Sequence, residues 1–323
     1  MQDLDFDVID GSMVHEVLQY RECINVLRDM FMEASNEIDS QPRRTIISAG
    51  SESVILVMPS FSQRIKKFAV KIVTEFKENP EKFGLPAQGG KIVLMDGDNG
   101  KTLAIIDSPS VTEIRTASMC ALATDILARK DSEQACIIGS GREARAILEA
   151  ILCVRDINRV KVKSRNYSNA VRYAEEMGRK LGIELIPCKE ASEATRGADI
   201  IVTATNSEAP VLHLQDVERG THIVSIGTLP TRRELGDDLI SSSSVFVDTR
   251  AGVLNEAGDI MHAIREGRFS PERIKADLSE LVTGKHKGRE SKEEITLFKS
   301  VGFALLDVFA ASVIFEKVKR ITR

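Results

Sequence analysis

No sign of charge dominates this chain: 44 Lys and Arg residues face 48 Asp and Glu, for a net charge of −4. That balance gives no electrostatic footprint for nucleic acid or for an anionic membrane. Cysteine is sparse and unpatterned. Cys23, Cys120, Cys136, Cys153 and Cys188 are odd in number, and no two stand at metal-ligand spacing. They read as reduced core residues, which points to a cytoplasmic protein rather than a disulfide scaffold. His15, His213, His222, His262 and His286 form no local metal pattern, so no metal is expected. The most apolar run, residues 301–315, contains Asp307 and is too short to span a bilayer. The acidic start MQDLDFDVID does not read as a signal peptide. There is no internal repeat, and no low-complexity tract beyond Ser241 to Ser244. What remains is a globular composition, 42% hydrophobic and 28% charged, over 323 residues, long enough for two domains.

Against that background one stretch organises the rest. In residues 134–150, QACIIGSGREARAILEA, a short apolar run ends at Gly139, and a helical pattern opens after Ser140 and Gly141. Gly139, Gly141 and Ala144 have the G-x-G-x-x-A spacing of a dinucleotide-binding turn. Gly139 permits the tight turn, Gly141 lets backbone approach a pyrophosphate, and Ala144 is small enough for the helix to pack on the strand. Free amides and the positive end of the helix dipole then face the phosphates. A plain glycine turn between strand and helix shares this spacing, so the surroundings decide. Strands read at 160–162, 184–186, 200–204, 223–226 and 245–247, with helices at 168–181 and 191–195 among them. Such alternation implies parallel pairing in a doubly wound sheet, the setting the fingerprint requires. Further helices are expected over 253–265, from Pro271, and as one long apolar helix over 291–318.

Upstream the pattern is different. Residues 5–9 read as a strand, followed by two helices carrying Val14, Leu18, Ile24, Leu27 and Phe31 on one face. From Arg44 the period is two, with strands at 45–48, 54–58, 68–74, 92–95 and 103–106. Asp98-Asn99-Gly100 predicts a type I′ hairpin turn, with positive φ at both central residues. Residues 79–90, rich in Gly and Pro, read as a loop. A helix over 112–128 leads into the fingerprint strand. The expected fold class is α/β: a Rossmann doubly wound parallel sheet plus a discontinuous α+β domain. The division is 1–117 with 302–323, and 118–301.

Four positions carry candidate chemistry. The second strand of the nucleotide unit ends Lys163-Ser164-Arg165-Asn166. It has no acid for a ribose 2′-hydroxyl and has an arginine where a 2′-phosphate could be held. This favours NADP(H), with NAD(H) possible. Arg44 begins a strand, and Lys71 lies inside an apolar one, where a lysine most often faces solvent. Arg115 falls in the first turn of a helix starting at Thr112. A cation there opposes the dipole, a local conflict that points to function.

The sequence resembles the ornithine cyclodeaminase/μ-crystallin family over essentially its whole length. The matching residues are Gln41-Pro42-Arg43-Arg44-Thr45, Val57-Met58-Pro59, Val70-Lys71-Ile72-Val73-Thr74 and Val111-Thr112-Glu113-Ile114-Arg115-Thr116-Ala117. They continue through Ile138-Gly139-Ser140-Gly141, Thr203-Ala204-Thr205, Gly227-Thr228-Leu229-Pro230, Glu234-Leu235, Val247-Asp248 and Glu256-Ala257-Gly258-Asp259. The resemblance implies a homodimer whose first domain, completed by the C-terminal helix, holds the substrate and dimer contacts. It implies that Arg44 and Arg115 hold a substrate carboxylate, that Lys71 is the active-site lysine, and that Thr228 lies at the substrate. Nicotinamide-nucleotide contacts would come from Thr116, Gly139, Ser140, Gly141, Arg142, Glu143, Ser164, Arg165, Asn166, Thr203, Ala204, Thr205, Ile226 and Gly227. Cyclodeaminases carry a glutamate where Leu56 stands and an aspartate where Thr228 stands, and those acids engage the distal amine of ornithine. The implied activity is therefore NAD(P)H-dependent oxidoreduction of a small α-amino or α-imino acid. That covers a ketimine or Δ1-pyrroline-2-carboxylate reductase, or an alanine-dehydrogenase-type enzyme. The alternatives are ornithine cyclodeamination and a non-catalytic binding role.

Overall fold

The computed structural model describes residues 5–33, 41–50, 53–227 and 229–321. The chain divides into two units, Met1–Arg115 with Phe303–Arg323, and Thr116–Gly302. The first begins with β1 (Asp7–Ile9) and α1 (Gly11–Val17), capped by Asp10, whose carboxylate accepts the Met13 amide at 2.9 Å. Next comes α2 (Tyr20–Glu33), which buries Ile24, Leu27, Met30 and Phe31. The period-two stretch forms β2 (Thr45–Ser48), β3 (Ser53–Ser62) and β4 (Lys67–Phe76), then a one-turn helix α3 (Asn79–Lys82), β5 (Gln88–Asp96) and β6 (Thr102–Asp107). The region expected as a loop over 79–90 is thus largely ordered, with Pro80 in the first turn of α3, where its missing amide costs nothing.

The strand order is β1-β6-β5-β4-β3-β2, and only the β1–β6 pair is parallel. The β5–β6 hairpin is not type I′. Gly100 has φ +74° but Asn99 stays outside the positive region, and the Asp96 carboxylate accepts the Asp98 and Asn99 amides at 3.0 and 3.2 Å. An acceptor side chain makes the reversal here, so a second left-handed residue is not needed.

Helix α4 (Ser108–Leu127) starts four residues earlier than the sequence suggests, because Asp107 accepts the Ser110 amide and hydroxyl at 3.1 and 2.8 Å. Arg115 therefore lies beyond the first turn, and the dipole conflict that singled it out is absent.

The second unit runs through β7 (Gln134–Ile138), α5 (Arg142–Ile151), β8 (Arg159–Lys163), α6 (Tyr167–Leu181), β9 (Glu184–Cys188), α7 (Ala191–Thr195), β10 (Ile200–Thr203) and β11 (His222–Ser225). It continues with α8 (Asp237–Ser242), β12 (Ser244–Val247), α9 (Arg250–Glu256), α10 (Gly258–Arg265), β13 (Ile274–Asp277), α11 (Leu278–Val282) and β14 (Thr296–Lys299). All eight strands are parallel, in the order β13-β12-β14-β11-β10-β7-β8-β9. Both faces are covered, so β10 reads as an unbroken apolar run: Ile200, Ile201 and Val202 are fully buried. Strand order reverses between β7 and β10, the switch point where such sheets bind ligands. The single helix expected over 253–265 breaks into α9 and α10 at Ala257, whose backbone is extended, and Gly258 follows where a Cβ would meet the Arg232 carbonyl at 2.3 Å. The short helix expected from Pro271 is a single 3-10 turn, Pro271–Arg273, and β13 follows it without a clear signal in the sequence.

The largest departure is residues 291–318. They are β14, a turn, and α12 (Ala304–Ile321), not one helix. The apolar spacing of Ile295, Phe298, Val301 and Leu305 mimics a helical face across the break. Gly302 has φ +70°, and buried Asp248 accepts the Ser300 hydroxyl and the Val301 and Gly302 amides at 2.9, 2.9 and 2.7 Å, which fixes the turn. Helix α12 then packs on the inner face of the first sheet, where Ser60 donates to the Ala304 carbonyl at 3.0 Å. Among the described residues no helix is long and apolar enough to cross a membrane.

Candidate active site

Register lines the inner face of the first sheet into a cross-strand row. Met58 pairs with Lys71, Lys71 with Ile92, Ile92 with Ile106, and Ile106 with Ile9. Opposed residues share a face. Extending the β2–β3 ladder by one residue sets Arg44 across from Met58. The row is closed to water: Lys71 is 2% exposed, and Ile92 and Ile106 are fully buried. A lysine in such a strand most often faces solvent, and Lys71 instead faces inward. An unpaired ammonium there would be costly. The compensating charge comes from the first turn of α12. Asp307, 1% exposed, accepts at Oδ1 from Lys71 Nζ at 3.1 Å and from Arg115 Nε at 3.0 Å.

Asp307 is the residue that sequence reasoning missed. Its signal was present, as the acid in an otherwise apolar run, but it served only to argue against a membrane span. Burial lowers the Lys71 pKa from 10.5 to about 8; Arg115 pushes the same way, Asp307 partly offsets both, and Arg44 lowers it further. Arg44, half-buried, is therefore close enough for its charge to act on Lys71. Lys71, Arg115 and Arg44 bring positive charge together in a water-poor setting, which favours an anion. Arg115 gives Nε to Asp307, which leaves its Nη pair for a bidentate carboxylate. Asp307 Oδ2 is buried without a hydrogen-bond partner.

The dinucleotide turn in the second unit fits its expected ligand. Gly139 has φ +126°, and a Cβ there would lie 2.3 Å from the Ala204 carbonyl, so the turn after β7 needs glycine against the end of β10. Gly141 caps α5, and nothing stands within 4 Å of where its Cβ would be, which leaves open space for a pyrophosphate at the helix N-terminus. Ala144 is fully buried, as helix-on-strand packing requires. Arg142 and Glu143 open α5. The Ser140 and Ser164 hydroxyls are 2.8 Å apart, tying the turn to the end of β8, beyond which Arg165 and Asn166 are exposed.

Residues 6–321 match the Ornithine cyclodeaminase/mu-crystallin family. The chain belongs to that family. The Δ1-pyrroline-2-carboxylate reductase of Bacillus cereus (strain ZK / E33L) is 35% identical, over 96% of each protein. Among solved structures, the Thermococcus litoralis Δ1-pyrroline-2-carboxylate reductase in complex with NADH and L-proline is 39% identical, with a TM-score of 0.95 over 98% of each chain. An archaeal alanine dehydrogenase dimer with bound NAD is 29% identical, with a TM-score of 0.92 over 98% of this chain and 97% of that one. The resemblance and the α/β fold class read from the sequence are thereby borne out.

The remaining family positions fall at the ends of β10 and β11. Thr203, Thr205 and Gly227 all donate to the carboxylate of Glu234, a fully buried residue whose role the sequence did not disclose. A Cβ on Gly227 would press on Glu234 Oε2 at 3.0 Å. The Ile226 amide donates to the Thr203 carbonyl at 3.3 Å, and Thr116 is 8% exposed on α4. Thr228 lies outside the described residues. Leu56, where this family's cyclodeaminases carry glutamate, pairs with Val73 two residues from the Met58–Lys71 pair and on the same face. The surface beside Lys71 is apolar there.

Proposed function

We propose that this protein reduces a cyclic α-imino acid of the Δ1-pyrroline-2-carboxylate type to the L-amino acid, using NAD(P)H. The observation that carries this reading is the Lys71–Asp307–Arg115 cluster with Arg44 beside it. The Arg115 fork and Arg44 take the substrate carboxylate, and Lys71, whose pKa of about 8 lies near neutral pH, gives a proton to the imine nitrogen. The dinucleotide supplies the hydride to the α-carbon. Adding one hydride and one proton across C=N balances the reaction. Leu56 offers no anion to a distal amine, which disfavours cyclodeamination of ornithine.

The test is an NAD(P)H-oxidation screen of the purified protein on cyclic imines, on 2-oxo acids with ammonia, and on ornithine. Oxidation with cyclic imines is expected. Ammonia and proline from ornithine without net cofactor change would replace this reading with the cyclodeaminase one.

The cofactor is NADP(H) rather than NAD(H) in our reading. No acid ends β8, Arg165 is exposed, and Lys189 lies over the Tyr167 ring at 5.5 Å, adding a second cation at the same end. Arg165→Ala should raise the Kd for NADPH by ~10–150-fold, the worth of a charged contact at about 1.5–3 kcal/mol, with little effect on NADH. Equal weakening of the two cofactors in a fluorescence titration would sink the idea. Assembly as a homodimer is part of the same proposal. The outer face of the first sheet leaves Val8, Ile47 and Ile72 58%, 47% and 38% exposed, an apolar surface suited to a second copy. Sedimentation of the chain as a monomer would count against it.

A further inference from the structure

The steps above make no use of the buried polar network beneath the ends of β10 and β11. Glu234 Oε1 accepts the Thr205 amide and hydroxyl at 2.6 and 2.9 Å. Its Oε2 accepts the Thr203 and Ser225 hydroxyls, each at 2.9 Å, and the Gly227 amide at 3.0 Å. Ser225 Oγ in turn accepts from Lys299 Nζ at 2.9 Å, so its own proton is spent on Glu234. Every partner of Glu234 is a donor, which is the setting of an ionised carboxylate. Lys299 also donates to Asp259 Oδ2 at 2.8 Å, and Glu234, Lys299 and Asp259 are all fully buried. Two carboxylates against one ammonium leave one negative charge in excess, sealed from water.

The position of this charge follows from the topology. With the strand order β8-β7-β10-β11, a dinucleotide whose pyrophosphate sat at α5 would have its adenosine end on the β8 side. Its nicotinamide end would then fall on the β10 and β11 side of the switch point. We propose that Glu234 is a positioning residue for the nicotinamide half: it ties together the turns that follow β10 and β11, and the excess negative charge of its network favours the cationic oxidised ring over the neutral reduced one. This rests on the dinucleotide reading of the second unit.

The experiment uses the full chain and measures Kd for NAD(P)+, for NAD(P)H, and for ADP, which fills only the adenosine half. Glu234→Gln keeps the side chain's size and removes its charge. It should weaken NAD(P)+ about tenfold more than NAD(P)H, the order expected when a buried unit charge acts on a second charge through protein. That ratio corresponds to about 30 mV in the bound two-electron couple. ADP affinity should stay within about twofold. Asp259→Asn removes a charge at the far end of the network without touching the donors to Glu234, so it should move the same ratio the same way, by about threefold. It also keeps the test open if Glu234→Gln fails to fold. Equal weakening of both redox forms would mean that Glu234 is a scaffold only and would overturn the proposal, as would an unchanged ratio in Asp259→Asn. If the wild-type chain binds ADP but neither nicotinamide form, the dinucleotide reading itself fails.

Discussion

Lys71→Met is expected to lower kcat/KM for a cyclic imino acid by about a thousandfold, within the range that a general acid supplies, while the Kd for NAD(P)H changes less than about twofold. The two readouts separate because Lys71 belongs to the first unit and the dinucleotide turn to the second. Methionine is chosen to keep the packing. It is close to lysine in length and fills the same slot between Met58 and Ile92, whereas alanine would open a cavity. Removing this buried charge leaves Asp307 paired one-to-one with Arg115, so stability should hold or rise. Loss of turnover with a native melting curve would assign the defect to chemistry. Lys71→Arg refines the result. It restores a cation for the substrate carboxylate but holds its proton above pH 12, so KM should recover further than kcat. Wild-type reduction rates in Lys71→Met would remove Lys71 from the mechanism.

Much of this site could be read from local spacing. Gly139, Gly141 and Ala144 declare a strand-to-helix turn within six residues, and the structure supplies a separate reason for two of them: contact with Ala204 and packing of α5. Alternation of period from two to mixed strand and helix located the change between the two sheets. What could not be read depends on partners far along the chain. Lys71 looks solvent-facing until Asp307 is placed 236 residues away, and nothing local marks either as half of a buried pair. The hairpin at Asn99-Gly100 carried the right residues for one turn type, yet Asp96 imposed another by accepting two amides. Residues 291–318 failed for a related reason. Helical periodicity counts apolar positions but not φ, and the turn at Gly302 is held by Asp248, more than fifty residues earlier. Arg115 was selected by a dipole conflict that does not exist, because Asp107 starts α4 earlier. Its place in the cluster rests on the Asp307 contact instead.

Asp307→Asn should have the largest effect on both stability and pH dependence. Among the described residues, Asp307 is the acid in contact with both Lys71 and Arg115. Taking one partner from a buried ionic cluster typically costs ~3–5 kcal/mol, and for a unit of this size that lowers Tm by roughly 10–20 °C. The second effect has a definite sign. Lys71 titrates at about 8 in the folded protein, against 10.5 for an ordinary lysine, and Asp307 is the group that raises it against burial and the arginines. Without that charge its pKa falls below about 8. The acid form on which the proposed imine reduction draws then disappears earlier, and the fall of kcat with rising pH should move to lower pH by about one unit. Stability follows the same linkage. In the wild type the unfolded chain binds more protons than the folded one between pH 8 and 10.5, so the cost of a buried charged Lys71 is fully present below pH 8 and is relieved as pH rises through that window. In Asp307→Asn the relief begins at lower pH, so the stability gap between variant and wild type should narrow from pH 7 toward pH 9. Urea melts at those two pH values and the pH profile of imine reduction measure both effects. A constant gap together with an unshifted profile would show that Asp307 does not set the proton on Lys71.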